Sequence, residues 1–135
     1  MELRDYQVDI YNKIKKAFKT GSRGVVAVLP CRSGKSYIMK QISVDANKKG
    51  NNVLILAHRI SLINQHKELF EDLDESKTRI ESVFTEVRHL GEKGKVDLII
   101  IDECHLSGAS TYHKVCEYYN CPIIGFTATA RQIRW

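Results

Sequence analysis

The sequence predicts an α/β fold: a three-layer parallel sheet of about five strands with helices on both faces. Three observations carry that expectation. Short apolar runs rich in Ile, Val and Leu recur along the 135 residues. Segments with apolar residues at helical spacing separate them. Several of the runs lack polar residues on either face, which marks strands buried from both sides. Alternating strands and helices imply a parallel sheet with right-handed crossovers, and such sheets take ligands at the carboxyl ends of their strands.

Arg4 to Thr20 opens the chain as a helix, with Tyr6, Ile10, Ile14, Ala17 and Phe18 forming the apolar stripe and Gly21 stopping it. Val25 to Leu29 (VVAVL) reads as a buried parallel strand, followed by a loop and a helix from Lys35 to Asn47. The unit then repeats. Val53 to Ala57 is a second buried strand, and Ile60 to Phe70 a helix with Leu62, Ile63, Leu69 and Phe70 apolar. After the polar connector EDLDESKT, Ile80 to Phe84 reads as the third strand and Thr85 to Leu90 as a short helix. Asp97 to Ile101 is the fourth strand, Ala109 to Tyr119 a helix, and Ile123 to Thr127 the fifth strand. Residues 1–135 are expected to form one domain, without linker, repeat or low-complexity segment.

Lys and Arg number 21 against 16 Asp and Glu, a net charge of +5 that permits a polyanionic partner without requiring one. The N-terminus has no apolar signal core, and no run approaches the roughly 20 apolar residues of a spanning helix. A soluble cytoplasmic protein without membrane contact is expected (the host cytoplasm for a viral one). Cys31, Cys104, Cys116 and Cys121 include no CxxC pair, so a zinc site is not expected; reduced thiols serving as small core residues are.

The stretch LPCRSGKS, Leu29 to Ser36, lies between a strand and a helix, the setting of a phosphate loop. Pro30, Cys31, Arg32, Ser33, Gly34, Lys35 and Ser36 are its candidate cofactor-binding residues. Backbone N–H groups at the helix N-terminus favour an anion. Lys35 would reach the β and γ phosphates, and the Ser36 hydroxyl would bind Mg²⁺. At the tip of the fourth strand, Asp102 would hold the metal and Glu103 would act as general base on water. In GFTATA, Thr127 and Thr129 could hydrogen-bond to His105 and Asp102. In LRDYQ, Gln7 can donate to and accept from adenine at once, with Arg4 beside it. In AHRISL, His58 and Arg59 follow the second strand, where Arg59 could meet a nucleic-acid phosphate.

Taken together these pieces resemble the first motor domain of superfamily 2 helicases and translocases, which have a RecA-like P-loop NTPase fold. LRDYQ resembles the Q motif, LPCRSGKS motif I, LILAHRISLINQ motif Ia, DECH motif II and GFTATA motif III, in family order from Leu3 to Ala130. The flavour is that of restriction-enzyme and phage-type DNA motors. The resemblance implies ATP and Mg²⁺ as cofactors and DNA as partner, with RNA the alternative. It assigns coupling between nucleotide and nucleic acid to His105, Thr127 and Thr129, and offers Ser82 as a hydroxyl contact to the strand. Arg32 departs from the family's usual Gly; a left-handed backbone there would cost roughly 1 kcal/mol. The span from Phe70 to Asp102 is short for the family. Such motors need a second RecA-like domain, in cis or trans, whose arginine fingers are worth about 10³–10⁵ in rate. The 135 residues do not contain one, so the expectation is a piece of a longer helicase, weak or inactive alone. The other reading is a nucleic-acid-binding or regulatory module that keeps the fold with little ATP turnover.

Overall fold

The computed structural model describes residues 3–29, 34–103 and 109–128. Ten elements alternate along them: α1 (Asp5–Lys19), β1 (Gly24–Val28), α2 (Lys35–Lys48), β2 (Val53–Ala57), α3 (Ile60–Leu69), β3 (Thr78–Ser82), α4 (Val83–Arg88), β4 (Leu98–Asp102), α5 (Ala109–Tyr119) and β5 (Ile123–Thr127). The strands form one sheet in the order β1-β5-β4-β2-β3, every pair parallel. The expected α/β sheet of five parallel strands is therefore the observed one.

Side chains in a strand alternate between faces, and here the alternation builds two cores. Val53, Ile55, Ala57 and Ile100 pack with Ile38, Met39, Ile42, Ile63 and Phe70 under α1, α2 and α3. Leu54, Leu56, Ile99 and Ile101 pack on the opposite face with Val83, Tyr112 and Val115 from α4 and α5. Cys116 and Cys121 are buried free thiols in that second core; Cys31 and Cys104 lie outside the described residues.

Three expectations need correction. The first strand, expected to be buried, lies at the edge of the sheet with one face open: Val26 and Val28 are 39% and 50% exposed. Ala27 and Leu29 pack under α1 and α2, but α4 and α5 lie over the β3–β2–β4 side of the other face and leave Val26 and Val28 in solvent. In α1 the buried stripe runs through Gln7, Tyr11 and Ile14, and Tyr6 is exposed; Gln7 and Tyr11 turn inward because each has a polar partner there, described below for Gln7 and Asp45 for Tyr11. The third strand begins at Thr78 rather than Ile80, and the following helix at Val83. Ser82 causes that early turn: its hydroxyl accepts from the Phe84 N–H at 3.2 Å and caps α4.

Candidate active site

Because all five strands are parallel, their carboxyl ends share one edge of the sheet. β5 lies between β1 and β4, so two strand spacings, about 9–10 Å, separate the phosphate-loop strand from the acid strand. Lys35, at the N-terminus of α2, reaches the acid strand with its ammonium.

Gly34 is the N-cap of α2 in the left-handed conformation, with φ 77°. The positive φ requires glycine here, and a Cβ, 2.4 Å from Gln7 Nε2, would displace the Gln7 amide. Gln7 is 4% exposed. Its Nε2 donates to the Gly34 carbonyl at 3.1 Å, and its Oε1 accepts from the Arg4 N–H at 2.7 Å. The side chain expected at adenine thus ties the start of α1 to the phosphate loop, while Arg4 itself is exposed.

Lys35 opens α2, and its Nζ lies 2.8 Å from Asp102 Oδ1 while also pairing with Glu103. The Asp102 side chain is 1% exposed, and those of Lys35 and Glu103 are 18% and 20%. Burial favours the neutral form of Lys35, but bonds to Asp102 and Glu103 outweigh it and hold the ammonium above its ordinary pKa. Burial likewise pushes the Asp102 carboxyl up; the hydrogen bond from His66 and the charge of Lys35 reverse this and hold it below the usual carboxylate range. Both groups are charged at neutral pH.

Ser36, half-buried, follows Lys35 in the first turn of α2. Thr127 is fully buried at the end of β5, and its carbonyl accepts from the Leu29 N–H at 2.8 Å. His58 and Arg59 follow β2, Arg59 exposed as the N-cap of α3. Ala57 is in register with Ser82, so His58, Arg59 and Ser82 gather at neighbouring strand ends, a few residues from the acids. Pro30, Cys31, Arg32, Ser33, His105 and Thr129 lie outside the described residues. One participant was not expected from the motifs: His66 of α3, whose Nε2 lies 2.8 Å from Asp102 Oδ2.

A magnesium nucleotide fits these groups. A hydroxyl and a buried carboxylate are hard oxygen donors, and Mg²⁺ is commonly held by one or two carboxylates together with substrate phosphates. Among the described residues no cluster of three or more His, Cys, Asp or Glu could hold a metal ion by itself.

The family model described as "Type III restriction enzyme, res subunit" (ResIII) matches residues 1–91 and 78–132. The chain belongs to this family. A 51.5 kDa protein of a Lactococcus phage (isolate 7-9) is 39% identical over 103 residues, 74% of this chain and 23% of that protein. The helicase domain of Hef from Pyrococcus furiosus superposes with a TM-score of 0.79 at 25% identity, covering 96% of this chain and 34% of that one. The Sulfolobus solfataricus SWI2/SNF2 ATPase core in complex with dsDNA gives a TM-score of 0.75 at 18% identity, over 96% of this chain and 32% of that one, a likeness of fold. The resemblance drawn from the motifs holds: this is the N-terminal, RecA-like domain of the superfamily 2 helicase architecture. The chain spans 23%, 23% and 19% of the length of three relatives it matches. No helix among the described residues is long and apolar enough to cross a membrane.

Proposed function

We propose that residues 1–135 form the ATP-binding half of a nucleic-acid motor, acting on DNA and driven by Mg²⁺-dependent ATP hydrolysis once a second RecA-like domain closes on it. The observation that carries this reading is the meeting of Lys35, the first residue of α2, with Asp102 and Glu103, from the tip of β4. Three charged groups from distant parts of the sequence share one edge, beside the N-terminus of a 14-residue helix.

In the resting arrangement Lys35 pairs with both acids. A triphosphate at the α2 N-terminus, where N–H groups and the helix dipole favour anions, competes for that ammonium. As Lys35 turns to the β and γ phosphates, Asp102 and Glu103 lose their counter-ion. Asp102 with Ser36 would then hold Mg²⁺, which when bound neutralises charge developing on the phosphates. Glu103, at the sheet's rim, accepts the proton of the attacking water. Gln7, bonded to Gly34, carries the state of the loop to α1, where Arg4 and Gln7 border the adenine side. Arg59, His58 and Ser82 contact the DNA backbone, and Thr127 with Thr129 and His105 relays between the two ligands. Alone, without the arginines of a second domain, the chain turns over slowly.

Calorimetry with magnesium-ATP tests the reading. Wild type binds, and Lys35→Ala does not. In a protein that includes the second domain, Glu103→Gln retains binding and abolishes hydrolysis. No heat from the wild type at any reachable concentration, or normal hydrolysis by Glu103→Gln, overturns it.

A further inference from the structure

His66 sits on the buried stripe of α3, three residues after Ile63 and four before Phe70, and its side chain is 2% exposed. A polar ring on such a stripe is costly unless it is hydrogen-bonded. A carboxylate only accepts, so the ring carries its proton on Nε2 and donates to Asp102 Oδ2 at 2.8 Å. Nδ1 is enclosed and has no hydrogen-bond partner among the described residues. The bond to Asp102 is therefore the ring's polar contact there. The other oxygen of Asp102 faces Lys35. The carboxylate is held at both ends, and rotation about its Cβ–Cγ bond would break one contact or the other.

We propose that His66 is a positioning residue for Asp102, fixing Oδ2 so that Oδ1 stays presented to the phosphate loop, and that it thereby sets the affinity for magnesium nucleotide. This rests on reading the site as a nucleotide site. Of the two groups that hold Asp102, Lys35 must leave when phosphates arrive; His66, fixed by the packing of α3, remains. Partners that orient a metal-binding carboxylate from behind are worth about 10- to 100-fold in metal affinity or activity.

The test is equilibrium binding of a fluorescent ADP analogue to the 135-residue chain, in Mg²⁺ and in EDTA, with melting curves alongside. Wild type binds more tightly in Mg²⁺. His66→Leu, apolar and of similar bulk, loses about 10- to 100-fold of the Mg²⁺-dependent gain while its affinity in EDTA is unchanged. His66→Gln, whose amide nitrogen reaches the position of Nε2, recovers most of the gain; His66→Asn, one bond shorter, does not. Should His66→Leu fail to fold, the Gln and Asn variants carry the comparison. A full Mg²⁺-dependent gain in His66→Leu, equal losses in Mg²⁺ and EDTA, or no difference between Gln and Asn overturns the assignment while leaving the nucleotide reading intact. Absence of binding by wild type in either buffer overturns the nucleotide reading, and this inference with it.

Discussion

Lys35→Ala removes the ammonium that pairs with both Asp102 and Glu103, and its effect on the ligand-free chain follows from burial. At an effective dielectric of about 20, unit charges 2.8 Å apart attract by about 6 kcal/mol. Desolvating the ammonium offsets part of this, and measured losses on removing one partner of a buried pair are about 3–5 kcal/mol. Asp102 keeps its bond from His66, and the Glu103 side chain is 20% exposed, which places this case near the lower end, at about 3 kcal/mol. For a chain of 135 residues that corresponds to a melting point lower by about 10 °C. The assay is thermal unfolding by circular dichroism at pH 7 in EDTA, with Lys35→Met as a second variant that keeps the stem. The pH dependence has a definite sign. Asp102 is held below its ordinary pKa, so its contribution is present above the unfolded carboxylate value and lost as pH falls through the folded one. Lys35 is held above its ordinary pKa, so its contribution is present below about pH 10 and lost as pH rises further. The gap between wild type and variant is therefore widest from about pH 5 to pH 9, between the unfolded carboxylate and lysine values, and closes as pH falls below the unfolded carboxylate value. Millimolar Mg²⁺ without nucleotide raises the variant's melting point more than the wild type's, because two acids that have lost the Lys35 ammonium attract a hard cation. An unchanged or higher melting point in EDTA, or equal Mg²⁺ responses, would refute the argument.

Three further outcomes are expected. Gly34→Ala forces a side chain into a left-handed position 2.4 Å from Gln7 Nε2; it should weaken nucleotide binding at least about ten-fold and lower stability by about 1–2 kcal/mol, and Gln7→Ala in the same chain should restore part of the stability by relieving the contact. The Cys116 thiol is pushed up to about 12 and Cys121 to about 11, both chiefly by burial. In a Cys31→Ser, Cys104→Ser background these thiols should resist alkylation at pH 8. Folded pKa values above the unfolded ones mean stability that is lost as pH rises from about 9 toward 11–12, and a Cys116→Ala, Cys121→Ala variant should melt with a shallower alkaline slope. Finally, Glu86 is 3% exposed and receives both Arg79 nitrogens, at 2.9 and 3.3 Å, together with the Tyr119 hydroxyl. Arg79→Met strands that carboxylate and should cost about 3–5 kcal/mol in denaturant melts while leaving nucleotide affinity unchanged, since the cluster lies on β3, α4 and α5, away from Lys35.

What was legible in the sequence was whatever depends on local pattern. The second and fifth strands and the fifth helix were bounded correctly because uninterrupted Ile, Val and Leu runs, or a helical period, leave no competing register. The edge position of β1 was not legible, since VVAVL is equally apolar in the middle of a sheet, and only the crossovers decide what covers Val26 and Val28. His66 did leave a signal. Leu62, Ile63, Leu69 and Phe70 define a stripe, and His66 falls within it, a buried polar residue that demands a partner; which partner depends on the strand order. Parity completes the account. Ile100 faces α2 and α3, Ile101 faces α5, and so Asp102 returns to the side of Lys35 and His66. Continued extended backbone would send Glu103 to the opposite face. Its φ of 56° ends the strand instead and brings the second carboxylate back to the same ammonium. Two adjacent acids can thus serve one cation because the chain accepts a left-handed glutamate, at a cost of roughly 1–2 kcal/mol. No residue pattern announces that strain; the convergence of both acids on Lys35 is what it provides.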